Sequence, residues 1–354
     1  MKADIHFPMA LLAVVTVAAA FCTGSCGKKP QSGPHDVTYR LKWLFNTSVV
    51  GDLYAQVHGI FANHGLQVTI KEGSPERDAI KALELGHAEF GVASADQVIR
   101  AASKGAPVVV IAQLFQANPL QWIYRPQKTA IQSVYDLKGK TIGVTYGGND
   151  ETMMKAILTK YDIKKTDVTF FSVRYDYTPF YTGEVDLWPV YQNAEGIIIG
   201  DKLRKGGEGV GFFRPDAWGV RFVANAVVTT EHLLRTQPET AAAFVRALLE
   251  GWRKALDPEN EEAAVETIHQ FDKDTPIHLI RRQLAATRRL VKPSPDMEVG
   301  RIDGAAWAQT ERIMVTQKLI PGPVSLKQRL RSLSGAASPE SSINESPTNE
   351  VRGF

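Results

Sequence analysis

Cysteine is almost absent from this 354-residue chain: Cys22 and Cys26 are the only two, and both lie in the N-terminal leader. The body downstream therefore cannot carry a disulfide framework, a cysteine-ligated metal or a thiol nucleophile. An excess of one charge sign is missing too, because 41 Lys and Arg face 38 Asp and Glu for a net charge of +3. With no basic run interleaved with aromatics, nucleic acid is excluded as a partner. The body histidines, His58, His64, His87, His232, His269 and His278, show no close metal spacing. Neither a metal nor a cofactor is expected.

Long apolar runs are confined to the leader, where Phe7 to Phe21 follows the single positive charge of Lys2. That run is shorter than the ~20 residues a membrane-crossing helix needs, and the small residues Thr23, Gly24 and Ser25 come after it. The pattern is a secretory signal over residues 1–26. TGSC resembles a bacterial lipoprotein cleavage box with Cys26 as the lipidated residue, although Thr23 stands where such boxes usually have Leu. Plain secretion is the alternative. Residues 27–36 read as a flexible tether, and the polar, Pro- and Ser-rich residues 333–354 as a disordered tail. A lipid anchor would hold a soluble body at a membrane surface without spanning it.

What is there is ordinary globular material, 44% hydrophobic and 22% charged, at a length that suits two domains. From Val37 strand-like and helix-like segments alternate. YRLKWLF (39–45) reads as a strand, and Asn46, Thr47 and Ser48 offer caps for one helix running to Gly65. LQVTI, AEFGVAS and PVVVIAQLF read as strands, with a helix opened by Ser74-Pro75 among them. The rhythm restarts at SVYDLKGKTIGVTYG, and the C-terminal part from residue 238 is helical. This is an α/β protein with mainly parallel sheets covered on both faces.

A faint internal echo doubles that architecture. LELGHAEFGVASADQ (83–97) and YTGEVDLWPVYQNAE (181–195) share a frame in which Gly86 matches Gly183, Glu89 matches Asp186 and Phe90 matches Leu187. In each, a helix ends at Gly, a strand follows, and a polar loop closes it; the second strand is read as Val185 to Leu187. Ligands of parallel α/β sheets sit beyond the carboxyl ends of the strands. Two facing lobes would thus present Ser94, Asp96 and Gln97 from one side and Tyr191, Gln192 and Asn193 from the other, closing by a hinge.

WLFNTSVVGDLYAQVHGIFANHGLQVTI resembles the N-terminal signature of solute-binding proteins of the NMT1/THI5-like group. Similar elements follow in order as ALELGHAEFGVASADQ, DLKGKTIGVTYGGNDE, YTPFYTGEVDLWPVYQNAE and PETAAAFVRALLEG, so the resemblance covers roughly residues 38–325. It implies a two-lobed type II periplasmic-binding fold. Lobe I would hold residues 37–128 and 228–332 and lobe II residues 129–227, with crossings near 125–133 and 222–228. It further implies a monomeric, periplasmic binding component of an ABC importer, with permease and ATPase subunits as partners. Members of the family bind thiamin-precursor pyrimidines, riboflavin-like compounds, or small anions such as nitrate and alkylsulfonates.

Trp43 corresponds to an aromatic that stacks on the ligand in the pyrimidine-binding branch; otherwise it closes the first strand. Asn46 and Thr47 either reach ligand or cap the next helix. In Tyr146-Gly147-Gly148-Asn149 the glycines would let a ligand approach backbone N–H groups at a helix N-terminus. No Lys follows, and Asp150 and Glu151 would repel an anion, which favours a neutral or weakly basic ligand. Trp188, Tyr191, Asn193 and Glu195 are the principal site candidates, because a carboxylate accepts hydrogen bonds from ring amines. Asp176, Tyr177 and Trp218 are secondary ones. The rival ligand is a small anion, served by Arg174 or Arg221. An enzymatic reading finds no support: the eukaryotic branch uses a histidine in the first loop and a Cys-rich iron motif, whereas Val49 follows NTS here and the body lacks cysteine. No catalytic residue is assigned.

Overall fold

The computed structural model describes residues 35–74 and 76–333. The leader with Cys26, most of the tether, Pro75 and the tail from residue 334 lie outside the described residues. The first half of the chain builds β1 (His35–Arg40), α1 (Val50–Val57), α2 (Ile60–Asn63), β2 (Leu66–Lys71), α3 (Ala79–Glu84), β3 (Phe90–Ala93), α4 (Ala95–Ser103) and β4 (Val108–Gln113). Then come β5 (Leu120–Tyr124), β6 (Thr141–Val144), α5 (Asn149–Lys160), β7 (Thr169–Ser172), α6 (Thr178–Thr182), β8 (Trp188–Tyr191), α7 (Glu195–Lys205) and β9 (Gly211–Phe213). After β10 (Ala226–Thr230) the chain is helical: α8 (Glu231–Thr236), α9 (Pro238–Leu256), α10 (Glu261–Phe271), α11 (Ile277–Val291), α12 (Gly304–Thr316) and α13 (Leu326–Arg329).

The strands form mixed sheets flanked by helices. In the first sheet, ordered β2-β1-β3-β10-β4, β1 pairs parallel with both neighbours, while β10 returns from the second half and pairs antiparallel with β3 and β4. Its two faces alternate as a doubly covered sheet requires. Phe90, Val92, Val109, Ile111 and Val227 pack with Phe244, Leu248 and Trp252 of α9 on one side. Ala93, Val108, Val110, Ala226 and Val228 pack with Val98, Ile99 and Trp307 on the other. Phe90 and Phe244 stack with ring centroids 3.8 Å apart.

In the second half, β8-β5-β9 is antiparallel and β6-β7 parallel. A parallel bridge between Ile142 and Leu187, with Gly143 N donating to Leu187 O at 2.8 Å, joins the two groups. The resulting order, β7-β6-β8-β5-β9, repeats that of the first sheet.

Several local expectations shift. β1 begins at His35, inside the stretch read as tether, and stops at Arg40, so Trp43 lies in the loop beyond it. The single helix expected after it is two, α1 and α2, because Gly59 takes a left-handed φ of 69° between them. α3 starts at Ala79 under an Asp78 cap instead of at Ser74. The strand read as Val185 to Leu187 is instead Trp188–Tyr191, with Leu187 making only the bridge. Pro189 is tolerated there because β8 meets β5 alone along its length, so the missing N–H costs no second ladder.

Candidate functional site

β1, β3, β6 and β8 all direct their carboxyl ends towards one cavity of about 480 Å³, lined by residues of both sheets. From the first half come the β1 loop (Lys42, Trp43, Leu44, Asn46), then Ser74, Glu76 and Asp78, and Val92 and Gln97. The second half contributes the Thr145–Asp150 turn, the segment Ser172–Tyr175, and four consecutive residues of β8, Trp188 to Tyr191, followed by Glu195.

Aromatic rings form much of the wall. Trp188 is 1% exposed, held edge-on by Tyr177 at 5.8 Å and flanked by Phe171 and Phe180 at 6.4 Å. It is a core residue with one side on the cavity. Trp43 crosses to Tyr175 of the other half with centroids 5.5 Å apart, a contact worth about 0.5–1.5 kcal/mol beyond burial. Beside it Lys42 Nζ donates to Tyr191 Oη at 2.7 Å, again across the halves.

The polar groups show why the glycine turn is a poor anion cradle. Thr145 N donates to Asp150 Oδ2 at 2.7 Å, and Gly147 N donates to Glu151 Oε2 at 2.8 Å. Two amides that could have met a phosphate or sulfonate are thus taken by the helix's own carboxylates. Gly147 has a φ of 80°, and a Cβ on Gly148 would lie 2.5 Å from Asp150 Oδ1, so both glycines serve the geometry of this cap. Burial raises the pKa of Asp150 to about 6 against the pull of its hydrogen bonds, that from Thr145 N first. Glu195, first residue of α7, accepts from Tyr191 N at 3.2 Å. Its remaining exposure is to the cavity, and the protein around it shuts out bulk water, which pushes its pKa above the usual carboxylate range. Burial, with the charge of Glu195, raises Tyr177 in turn.

Of the residues singled out from sequence, Trp43, Asn46, Tyr146, Gly148, Asn149, Trp188, Tyr191 and Glu195 line the cavity. Asn46 does both things weighed for it: its Oδ1 accepts from Ser48 N at 2.7 Å while the residue also faces the cavity. Thr47, Ser94, Asp96 and Asn193 do not line it, and each is fully buried in other work. Ser94 caps α4 in a capping box with Gln97, and its single Oγ–H is shared between Asp96 Oδ1 at 2.6 Å and Gln97 Oε1 at 2.9 Å. Asn193 Nδ2 donates to Ser48 Oγ at 3.0 Å and to Thr287 Oγ1 at 2.9 Å. Thr47 Oγ1 donates to Asn193 O and Gln283 Oε1, both at 3.3 Å. Thr47 and Asn193, with Ser48 and with Gln283 and Thr287 of α11, form a buried polar clasp behind the cavity wall. A hydrophilic seam can part and rehydrate at less cost than an apolar one.

Among the secondary candidates, Tyr177 and Arg174 line the cavity. Asp176 Oδ1 accepts from Thr178 N at 2.9 Å just before α6, and Trp218 stacks on Phe213 outside the lining. Arg221 lines a smaller cavity of about 100 Å³, with Phe222 and Ala306, and does not line the main one. Lys42, Glu76, Asp78, Tyr175 and Asn225 are lining residues that sequence reasoning missed. Lys42 needed the true end of β1. Asn225 sits in the apolar run FVANAVV and carries no local signal. No group of three or more metal-ligating side chains occurs among the described residues, and no helix there is long and apolar enough to cross a membrane.

Comparison with known proteins agrees with this architecture. A Haemophilus influenzae protein named for thiamine biosynthesis is 24% identical over 312 residues, 87% of this chain and 96% of its own. The formylaminopyrimidine-binding protein of Halalkalibacterium halodurans is 23% identical over 303 residues, covering 84% and 90%. The periplasmic aliphatic sulphonate-binding protein SsuA of Escherichia coli superposes with a TM-score of 0.65 at 17% identity, over 91% of this chain and 98% of that one. The fold is that of the periplasmic binding proteins. With the NMT1/THI5-like model matching residues 46–261, the chain belongs to the NMT1/THI5-like family.

Proposed function

We propose that the cavity captures a small planar heterocycle of the aminopyrimidine kind. In this reading the chain is the solute-binding component of an ABC importer, a monomer held by lipid at Cys26 on the outer side of a membrane, and it catalyses nothing. The observation that carries the ligand class is Glu195: a shielded carboxyl with a raised pKa, in a wall of Trp188, Tyr177 and Tyr191. Such a group accepts from a ring amine and, when protonated, donates to the adjacent ring nitrogen. A flat ring between aromatic walls gains about 1–3 kcal/mol from stacking. The capped amides of the glycine turn argue against an anion at that wall. The names of the two relatives point to the same chemistry.

A small-anion ligand is favoured by one feature, the exposed Arg174 at the cavity. Thermal unfolding and tryptophan fluorescence with an aminopyrimidine, riboflavin, taurine and nitrate separate the two. The expected result is a higher melting temperature with the aminopyrimidine. Stabilisation by taurine or nitrate alone overturns the heterocycle reading.

A further inference from the structure

We propose that Asn225, paired with Gln97, is a ligand-positioning residue that selects a neutral, hydrogen-bonding arm on the bound ring. This rests on the heterocycle reading and adds a second recognition point opposite Glu195. Register places Asn225 at the start of α4, the helix that carries Gln97. Ala226 pairs with Ala93 and Val227 with Val92 in the antiparallel β10–β3 ladder, so Asn225 falls opposite Ser94 at the carboxyl end of β3. Ala95 N donates to Val223 O at 3.0 Å, tying the same strand to the first turn of α4. Gln97 is in that turn, and both residues line the cavity.

Asn225 is 5% exposed, and its Oδ1 is buried without a hydrogen-bond partner among the described residues. An unmet buried acceptor of this kind is destabilising unless something supplies a donor. The backbone of Asn225 is not idle, since its carbonyl accepts from Leu114 N at 2.8 Å; only the side chain is unsatisfied. Gln97 takes both Ser94 N and Ser94 Oγ on its Oε1, which leaves its Nε2 as the end available to a ligand. An acceptor beside a donor matches an amide or hydroxyl arm. Gln97, its Oε1 held by Ser94, presents only Nε2, whereas Asn225 presents its buried Oδ1 by turning its carboxamide; neither offers a counter-charge to an ionised arm.

The test uses Asn225→Leu in the intact protein, with two probes: an aminopyrimidine carrying a formamide arm, and the same ring with a methyl group in its place. The wild type is expected to prefer the formamide probe by about tenfold or more. Asn225→Leu is expected to remove that preference while leaving methyl-probe affinity within about twofold, and to leave the ligand-free melting temperature equal or higher. Equal losses for both probes, an unchanged preference, or a drop of several degrees in the ligand-free melting temperature would overturn the assignment. If neither ring binds the wild type, the heterocycle reading fails. The ligand-free melting temperature then still decides whether Asn225 is a structural partner or a side chain held for a ligand.

Discussion

The first half of the molecule and the second use one device and finish it differently. In the first, Gly86 turns the chain at a φ of 67°, Glu89 N donates to Thr38 O at 3.1 Å, and Glu89 Oε2 takes Thr38 N at 2.7 Å. In the second, Gly183 turns it at 92°, Asp186 N donates to Thr141 O at 2.9 Å, and Asp186 Oδ2 takes Thr141 N at 2.9 Å. The acid clamps β1 in its middle, at Thr38, and β6 at its first residue, Thr141. Divergence comes immediately after. Phe90 and Gly91 continue into a strand beside β1, and Gly91 leaves little room, with a Cβ there meeting Ala79 Cβ at 3.0 Å. The matching pair, Leu187 and Trp188, makes one bridge and swings to β5. That departure turns four consecutive residues to the cavity where the first half turns only Val92 of β3. A bulky aromatic and a proline, in place of glycine and valine, are what make one wall deep and the other flat.

The comparison can be broken at Trp188. Replacing it with Ala should cost about 3–5 kcal/mol in urea unfolding and lower ligand affinity as well. A loss under about 1 kcal/mol would show that the second sheet does not depend on the residue that distinguishes it from the first.

The helices that follow the first strand of each half sharpen it further, because each opens with a buried aspartate. Asp52, bonded by Tyr39 Oη at 2.7 Å, is raised from 3.8 to about 7, and Asp150 to about 6; burial is the main cause in both. Trp252 pulls Asp52 back slightly, although neither Trp252 Nε1 nor Asp52 Oδ2 has a partner in hydrogen-bond geometry. A folded state with the higher pKa holds more protons than the unfolded chain between the two values. Stability therefore falls as pH rises from about 4 to about 7, then levels. For Asp52 the full effect is on the order of 4 kcal/mol, and Asp52→Asn should flatten about half of that slope, Asp150 carrying much of the rest. Urea midpoints across pH 4 to 8 measure it, and an unchanged slope would show that Asp52 is not the source.

The clamps themselves should differ least. Asp186→Ala strands Thr141 N and also loses the Thr129 Oγ1 bond at 2.7 Å, for about 1–3 kcal/mol. Glu89→Ala strands Thr38 N alone and should cost about 1 kcal/mol. Equal losses would mean that the second acceptor bond of Asp186 contributes nothing.

Much of this was legible in the chain itself. The α/β rhythm, the doubled Gly-acid frame and the two polar strand ends are local patterns, and local patterns survive translation into structure. Eight of the twelve site candidates, Glu195 and Trp188 among them, line the cavity because residues just past a parallel strand face its open end. Thr47, Ser94, Asp96 and Asn193 occupy the same kind of position but bond to each other or to α11. Nothing nearby in sequence announces that Thr287 and Gln283 will arrive there.

By itself, then, the sequence determined the element order, the absence of thiol chemistry and the acidic, aromatic character of the loops that meet a ligand. Only the tertiary structure decided which polar side chains are consumed by caps and clasp, where β8 leaves its parallel partner, and that Asn225 and Gln97 line one cavity. The clasp depends on partners 94 and 240 positions away, in the bonds Asn193–Thr287 and Thr47–Thr287. A hydrogen-bonding side chain is committed by whichever group packing brings to it, and long-range packing leaves no periodic trace in the chain.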